Sequence, residues 1–331
     1  MSSKKIKCLA LFSGGLDSMI AIKLMALQDI EVIALNINIG FSSKIDISEL
    51  MRKRAQMAGA KLEVIDVRDT YIKNILFDPK FGYGKNFNPC IDCHGFMFRV
   101  AMGLLEKYDA SFLVTGEVVG QRPMSQRNDA LNSVKKLAGD DENLILRPLC
   151  AKVMEPTKPE IEGWVDREKL LGINGRGRDV QLSLAKEYGW DDFEKPGGGC
   201  LLTDVNFTKK MRDFVKHDKL EVEDIDVLKN GRQLRLEEGA KLIIGRNQEE
   251  NERIESIKSD KYIFIKAKDI PGPSSLLSAN ATQNDINLAL KAVLAFAKTE
   301  KERKYDIILG EKIVSETPYE NRADLQKYFV T

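Results

Sequence analysis

The chain has 331 residues, 43% of them hydrophobic and 31% charged, with 51 basic side chains against 50 acidic ones. That length is more than one core usually organises, and the even charge balance excludes a global basic field, so any grip on nucleic acid must come from a local patch. Five cysteines, no apolar run long enough to span a bilayer and no leader-like opening segment exclude a disulfide framework and lead to the expectation of a cytoplasmic protein with no membrane contact.

Residues 6–12 form a short apolar run that reads as a buried strand, broken by Ser13-Gly14-Gly15. Leu16 to Gln28 has helical periodicity, Glu31 to Asn38 reads as a second strand, and Ser48 to Gly59 as a helix that ends at its glycine. Lys61 to Val67 is a third strand. Ser111 to Thr115 is a fourth, after a helix containing Met102, Leu104 and Leu105. Strands alternating with helices of this length predict an α/β fold with a parallel sheet covered on both faces and all strand carboxyl ends on one edge.

The pattern loosens between Arg122 and Gly199, and Pro196-Gly197-Gly198-Gly199-Cys200 closes the unit. From about Thr208 the segments become shorter and more charged. Lys241 to Ile244, Lys261 to Lys266 and Asp306 to Leu309 read as antiparallel strands, with an amphipathic helix from Ile286 to Thr299 between the last two. Two domains are expected: 1–204, with the parallel sheet, and 205–331, smaller and α+β.

The order strand, Ser13-Gly14-Gly15-Leu16-Asp17-Ser18, helix carries the first chemistry. Two glycines let the backbone curl so that successive N–H groups point inward, and the helix N-terminus adds partial positive charge, a geometry that holds pyrophosphate. Ser13 and Ser18 offer hydroxyl donors, and Asp17 is placed for a magnesium ion that bridges phosphates. The plainer reading of a glycine pair is a strand-to-helix turn with a serine cap. The whole string resembles the PP-loop of the N-type ATP pyrophosphatases, which cleave ATP to AMP and pyrophosphate and adenylate an oxygen of their substrate. The resemblance implies ATP and Mg2+ as cofactors, with Ser13, Gly14, Gly15, Asp17 and Ser18 around the phosphates, Asp17 as a catalytic residue, and the strand carrying Asn36 against adenine.

Pro89-Cys90-Ile91-Asp92-Cys93-His94 is a Cys-x-x-Cys pair, and Cys200 follows three glycines far away in sequence. Alone, such a pair fits a zinc knuckle, a redox dithiol or an iron–sulfur ligand set. Structural zinc asks for four closed ligands, whereas three thiolates suit a cubane with one iron open to a non-protein ligand. Combined with the PP-loop, Asn-Pro-Cys-x-x-Cys and a later lone cysteine resemble the tRNA thiolation enzymes, the 2-thiouridine and 4-thiouridine synthetase groups. Cluster-bearing members bind [4Fe–4S] through positions that match Cys90, Cys93 and Cys200. In members without a cluster, Cys200 would be a catalytic persulfide carrier resolved by Cys90 or Cys93. Cys8 and Cys150 read as packing residues.

Thr115 to Gln126, with Gly116, Glu117, Gly120, Gln121, Ser125 and Gln126, resembles the Thr-Gly-Glu-x-x-Gly-Gln-x-x-Ser-Gln stretch of 4-thiouridine synthetases, and Arg147-Pro148-Leu149 the segment that follows it there. Gly116 and Gln121 are therefore expected at the nucleotide. The extra proline at 123 departs from that pattern, and the Thr-Gly-His-Tyr string of the 2-thiouridine group is absent. The RNA-binding THUMP domain of 4-thiouridine synthetases has no counterpart before the PP-loop strand, which places the RNA grip elsewhere or in another subunit.

Gly245-Arg246-Asn247-Gln248-Glu249-Glu250-Asn251 and Lys268-Asp269-Ile270-Pro271-Gly272-Pro273-Ser274 resemble segments of the NFACT-R RNA-binding domain over roughly 205–310. Arg246, Asn247, Asn251 and Lys268 would then contact RNA phosphates, and helix-and-turn chemistry at strand ends is the plainer alternative. The expectation is ATP-dependent thiolation of a tRNA uridine, 4-thiolation before 2-thiolation, with inorganic sulfide or a cysteine desulfurase as sulfur donor and a second copy of the chain as a partner still open. A small-molecule sulfurtransferase or amidase and a non-catalytic RNA-binding accessory protein are the rivals.

Overall fold

The computed structural model describes residues 5–42, 48–193 and 199–330, so Pro196-Gly197-Gly198 lies outside the described residues. The chain divides into two units, Met1–Thr203 and Asp204–Thr331. Among the described residues no helix is long and apolar enough to cross a membrane.

The first unit runs β1 (Lys7–Leu11), α1 (Leu16–Ala26), β2 (Glu31–Asn38), α2 (Ser48–Ala58), β3 (Lys61–Asp66), α3 (Arg68–Tyr71), α4 (Cys90–Met102), β4 (Phe112–Val114), α5 (Asn128–Ala138), β5 (Ile145–Leu146), α6 (Lys158–Ile161) and α7 (Asp179–Glu187). The strands form one parallel sheet in the order β3-β2-β1-β4-β5. Cys8, Leu9 and Ala10 of β1 are all buried, as a central strand covered on both faces demands. Cys8 and Ala10 join the core built with α1 and α2, while Leu9 joins Phe98, Ala101 and Val134 of α4 and α5 on the other face. Helix α1 buries Leu16, Met19, Ile20, Ile22, Leu24 and Met25 and is a core helix rather than an amphipathic one. Strand β5 is an addition to the elements expected; two residues are too few for any periodicity to register.

The second unit is α8 (Val205–Val215), α9 (Val222–Lys229), β6 (Arg232–Arg235), β7 (Lys241–Ile244), α10 (Gln248–Ser256), β8 (Tyr262–Ala267), β9 (Ser275–Ser278), α11 (Gln283–Ala295), β10 (Tyr305–Leu309) and β11 (Lys312–Glu316), followed by a 3-10 helix, Arg322–Tyr328. Its strands form an antiparallel sheet in the order β11-β10-β8-β9-β7-β6. The three expected strands are β7, β8 and β10. The helix expected at Ile286–Thr299 starts earlier and stops earlier, because Thr282 caps it by accepting from the Asp285 N–H. Lys241 is fully buried in β7 and its ammonium meets Asp213 of α8 at 2.7 Å. Burial pulls this lysine down to about 8 against the pull of Asp213.

Both tryptophans, Trp164 and Trp190, pack in the first unit's core, so their fluorescence reports on that unit. Leu9→Ala, which empties a fully buried site in the central strand, is expected to cost about 3–5 kcal/mol. Urea unfolding followed by tryptophan emission should show the midpoint moving down by about 1 M or more; an unmoved midpoint would mean that the sheet core is not where β1 puts it.

Candidate active site at the carboxyl edge of the parallel sheet

Winding reverses at β1, which has β2 on one side and β4 on the other, the place where a sheet of this kind offers a crevice beyond the carboxyl ends of its strands. The loop after β1 is Ser13-Gly14-Gly15. Gly14 has φ +75, a conformation that a side chain resists, and Gly15 is extended at φ −84, ψ 158 just before the first turn of α1. That curl leaves the unpaired N–H groups of the helix start facing the crevice. Ser18 Oγ donates to the Gly15 carbonyl at 2.7 Å and lies 3.5 Å from Ser13 Oγ. Arg54 of α2, buried, donates to the Gly14 carbonyl at 3.2 Å and is itself held by Asp192 at 2.8 Å. Asn36 of β2 donates its amide to the Phe12 carbonyl at 3.0 Å, bracing the chain where it enters the loop.

The loop after β4 comes closest of all. A Cβ placed on Gly116 would lie 2.6 Å from the Asp17 carbonyl carbon and 2.6 Å from the Ser18 nitrogen, so Thr115-Gly116 rests directly on the first turn of α1. From the same loop Gln121 donates to Asp17 Oδ2 at 2.8 Å, and Arg178, just before α7, reaches Asp17 Oδ1 at 3.4 Å. Both Asp17 oxygens are thus engaged by protein donors. Gln181 of α7 donates to Gln121 Oε1 at 3.3 Å. Ser13, Gly14, Gly15, Asp17, Ser18, Gly116 and Gln121 meet in one crevice, and Arg54, Arg178 and Gln181 join them from stretches that carry no local signal. Arg178 Nε, Gln181 Oε1, Gln126 Oε1 and Arg147 Nη2 are buried without a hydrogen-bond partner among the described residues. Buried polar atoms are seldom left unpaired, and these are donors and acceptors suited to a polar ligand.

Glu117, the next residue along, ties the crevice to the cysteines. Its carboxylate lies 2.9 Å from His94 Nδ1 and accepts from Arg147 Nε at 3.0 Å. Burial alone would push this carboxyl up; the Arg147 guanidinium and the His94 contact outweigh it and hold the group below its ordinary value. His94 follows Cys93 on α4. The N-terminus of α4 is fixed by Asp92, which accepts from the backbone N–H groups of Lys80 and Phe81 at 2.9 and 3.0 Å, and Asn88 donates to Cys90 Sγ at 3.1 Å. Cys200 arrives from the other direction. It bridges to Ser42 after β2, Leu201 donates to the Phe41 carbonyl at 2.8 Å, and Phe87 donates to the Leu202 carbonyl at 3.2 Å.

Tyr71, at the end of α3, is the residue on which the three sulfurs converge, and nothing near it in sequence advertised that. Its buried ring sits 6.1 Å from Phe41 and 5.8 Å from Phe96. Its hydroxyl faces the Cys93 sulfur; burial raises its pKa, and the charge of and hydrogen bond to Cys93, then Cys200 and Cys90, raise it further. Burial pushes the Cys93 thiol up, with Cys200 and Cys90 adding to it, and pushes Cys200 up to about 11. Three neighbouring half-buried thiols beside the Tyr71 hydroxyl form a soft donor set. No three His, Cys, Asp or Glu side chains among the described residues are gathered closely enough to hold a single metal ion. A cubane instead spreads its thiolates over separate irons, so the donor set fits such a cluster in chemistry. Cys8 lies in the core, and Cys150 is buried with its thiol donating to the Glu117 carbonyl at 3.5 Å.

The residues expected at RNA lie in the second unit. Asn247 caps α10 by accepting from the Glu250 N–H, and Asn251 Oδ1 accepts from the Ser274 N–H at 3.1 Å, so both asparagines shape the turn. Arg246 forks onto Glu250 with its guanidinium half exposed, and Lys268 is exposed.

Residues 7–80 match the family model described as the arginosuccinate synthase N-terminal HUP domain, and residues 231–327 match the NFACT protein RNA binding domain. The tRNA-specific 2-thiouridylase MnmA 2 of Fusobacterium nucleatum is 28% identical over 107 residues, 31% of this chain and 31% of that protein. Its namesake in Caldanaerobacter subterraneus is 24% identical over 224 residues, 62% of this chain and 58% of that one. The chain therefore spans from about a third to about three fifths of the length of these curated relatives. Among solved structures, a 4-thiouridine synthetase–RNA complex with bound ATP aligns at a TM-score of 0.40 and 20% identity, over 55% of this chain and 40% of that one. The first unit thus carries a HUP/PP-loop-like parallel sheet, matched over residues 7–80, and the C-terminal region carries an NFACT-R-type domain over residues 231–327.

Two outcomes test this geometry. Gly116→Ala forces a methyl group onto the Asp17–Ser18 peptide and is expected to weaken ATP binding at least about 10-fold, about 1.4 kcal/mol, by isothermal titration calorimetry; unchanged affinity would detach the loop from the nucleotide. Glu117 ionises below its ordinary 4.5 when folded, so its stabilising contribution is present above that pH and is lost as pH falls through the depressed folded value. Glu117→Gln, which leaves Arg147 buried without its carboxylate, is expected to be about 3–5 kcal/mol less stable than wild type at neutral pH, with the gap closing in acid. Urea midpoints across pH measure this, and a gap that stays constant would contradict the assignment.

Proposed function

We propose that this chain is an ATP-dependent tRNA thiolase that adenylates a uridine carbonyl oxygen and replaces it with sulfur, at ring position 4. The observation that carries the reading is the three-residue link Thr115-Gly116-Glu117: Gly116 touches the phosphate-cradle helix and Glu117 is bonded to the residue after Cys93, so activation and sulfur delivery share one edge of the sheet.

ATP would lie with its phosphates over Gly14, Gly15 and the first turn of α1, and Mg2+ would be held at Asp17. The uridine oxygen attacks the α-phosphorus, the bond to the bridging oxygen breaks, and pyrophosphate leaves with the electron pair. Inward N–H groups and Arg178 neutralise charge as it builds on the phosphates, and Gln121 with Gln181 orients Asp17. A sulfur nucleophile then adds to the ring carbon, and AMP departs carrying the former carbonyl oxygen. Cys90, Cys93 and Cys200 would hold a [4Fe–4S] cluster, which when bound supplies a site for non-protein sulfur from sulfide or a cysteine desulfurase. His94 and Glu117 fix the helix turn that presents Cys93, and Tyr71 aims its hydroxyl at the sulfurs. Arg246 and Lys268 remain the RNA contacts of the NFACT-R segments. The Thr115–Gln126 loop supports position 4; the names of the curated relatives make 2-thiolation the second reading.

Pyrophosphate release and nucleoside mass spectrometry on unmodified tRNA test this together. Wild type is expected to release pyrophosphate in a tRNA-dependent manner, and Asp17→Asn to lose about 100-fold or more of it. Cys93→Ser should retain release within a few-fold yet yield no thiolated nucleoside, with iron and acid-labile sulfide lost from anaerobically purified protein. Equal release by wild type and Asp17→Asn would sink the proposal.

A further inference from the structure

We propose that the RNA phosphate backbone seats on a guanidinium cluster of the second unit, Arg232 and Arg322 over the ring of Phe296 with Arg246 beside Arg232, an inference that rests on the tRNA reading above for its choice of ligand. The four residues come from β6, the turn after β7, the end of α11 and the C-terminal 3-10 helix, and no sequence motif joins them. The guanidinium carbons of Arg232 and Arg322 lie 4.8 and 4.1 Å from the same ring centroid. Arg232 Nη1 donates to the Gly245 carbonyl at 3.0 Å, which ties it to the turn carrying Arg246. Phe296 is the C-cap of α11, and the partial negative charge of that helix end helps to hold cations there.

The charge is poorly balanced. Glu250 is matched to Arg246, while among the described residues neither Arg232 nor Arg322 forms an ion pair. Burial pulls the Arg232 guanidinium below its ordinary range, and the charges of Arg322 and Arg246 pull it further. Lys210 also feels Arg246, after burial, as a force that lowers its pKa. One stacked arginine would cover Phe296; gathering two like charges about one ring, with a third beside them, is a cost to the folded chain that a bound anion offsets. A guanidinium stacked on a ring keeps its N–H edge outward, and that planar fork matches two phosphate oxygens.

The surface extends beyond the cluster. A Cβ on Gly272 would lie 2.9 Å from Ala297, and Lys298 donates its backbone N–H to the Pro271 carbonyl at 3.2 Å. The loop that starts at exposed Lys268 therefore borders the same end of α11, and Arg246 and Lys268 become two edges of one patch. A row of cations beside an aromatic ring suits a polyphosphate strand with stackable bases better than an acidic peptide.

The test is fluorescence anisotropy of the full chain with a fluorescein-labelled unmodified tRNA transcript over a series of KCl concentrations. Arg322→Gln, at an exposed position, is expected to weaken binding about 5- to 10-fold and to reduce the slope of log K against log salt by about one. Arg322→Lys should keep the slope. Unchanged affinity and slope for Arg322→Gln overturn the inference, and so does equally tight, Arg322-dependent binding of labelled polyglutamate, which would make the patch a site for acidic protein. Wild-type pyrophosphate release reads the other proposal separately: if it is absent while RNA binding still depends on Arg322, thiolation falls and this site stands.

Discussion

Backbone pressed on backbone, where Gly116 meets the Asp17–Ser18 peptide, is the constraint from which the rest of the first unit takes its bearings. A parallel sheet opens a crevice wherever its winding reverses, but the width of that crevice is set by what the two loops allow. Here the absence of one side chain lets the loop after β4 lie on the start of α1. Gln121 is thereby within reach of Asp17, and Glu117, one residue on from the glycine, turns its carboxylate to the other side. A single close approach thus sets the spacing between a phosphate cradle and a group of thiols.

The cysteine end of the site is built at an energetic disadvantage. Thiols and a phenol are crowded together away from bulk water, and burial together with the neighbouring sulfurs makes ionisation of Cys93, Cys200 and Tyr71 harder, against which the Tyr71 hydroxyl gives Cys93 only a partial hydrogen-bond offset. Such a group is a poor nucleophile alone, because the thiolate is the reactive form and burial disfavours it. It becomes effective only when something positive or electron-accepting compensates the buried charge, and the aromatic packing of Phe41, Tyr71 and Phe96 keeps that exchange away from water. The Arg147–Glu117–His94 series does the opposite work. It is a buried charge set that is internally satisfied, and it holds α4 in register with the sheet edge.

What the sequence made legible was local. The glycine loop, the strands at 31–38 and 61–66 and the parallel order follow from residues within a few positions of one another, where backbone sterics and burial decide the outcome. Residues 90, 93 and 200 were read together by resemblance, and the fold supplies the means: segment 200–203 is laid by backbone bonds against the loops after β2 and before α4. Tyr71, Arg54 and Arg178 were invisible because their partners lie 25 to 161 residues away and nothing near them in sequence marks the meeting. In the second unit β6 and β11 escaped notice because charged and polar residues interrupt their apolar pattern. Asn247 and Asn251 show that a motif read for binding also has work to do in the local fold. Each closes a turn through its side chain, and the guanidiniums of Arg232 and Arg322, with no motif at all, lie over one ring.

On the proposed reading, the two units would divide the labour that a modified RNA base demands: one would supply reactive groups, the other charge for a backbone. The central idea is that the oxygen removed from uridine is the atom joined to adenylate. Transfer RNA carrying oxygen-18 in its uridine carbonyls, incubated with the chain, ATP and a sulfur source, should yield AMP bearing the heavy isotope in step with the sulfur gained by the base. Thiolated base accompanied by unlabelled AMP would contradict that idea directly.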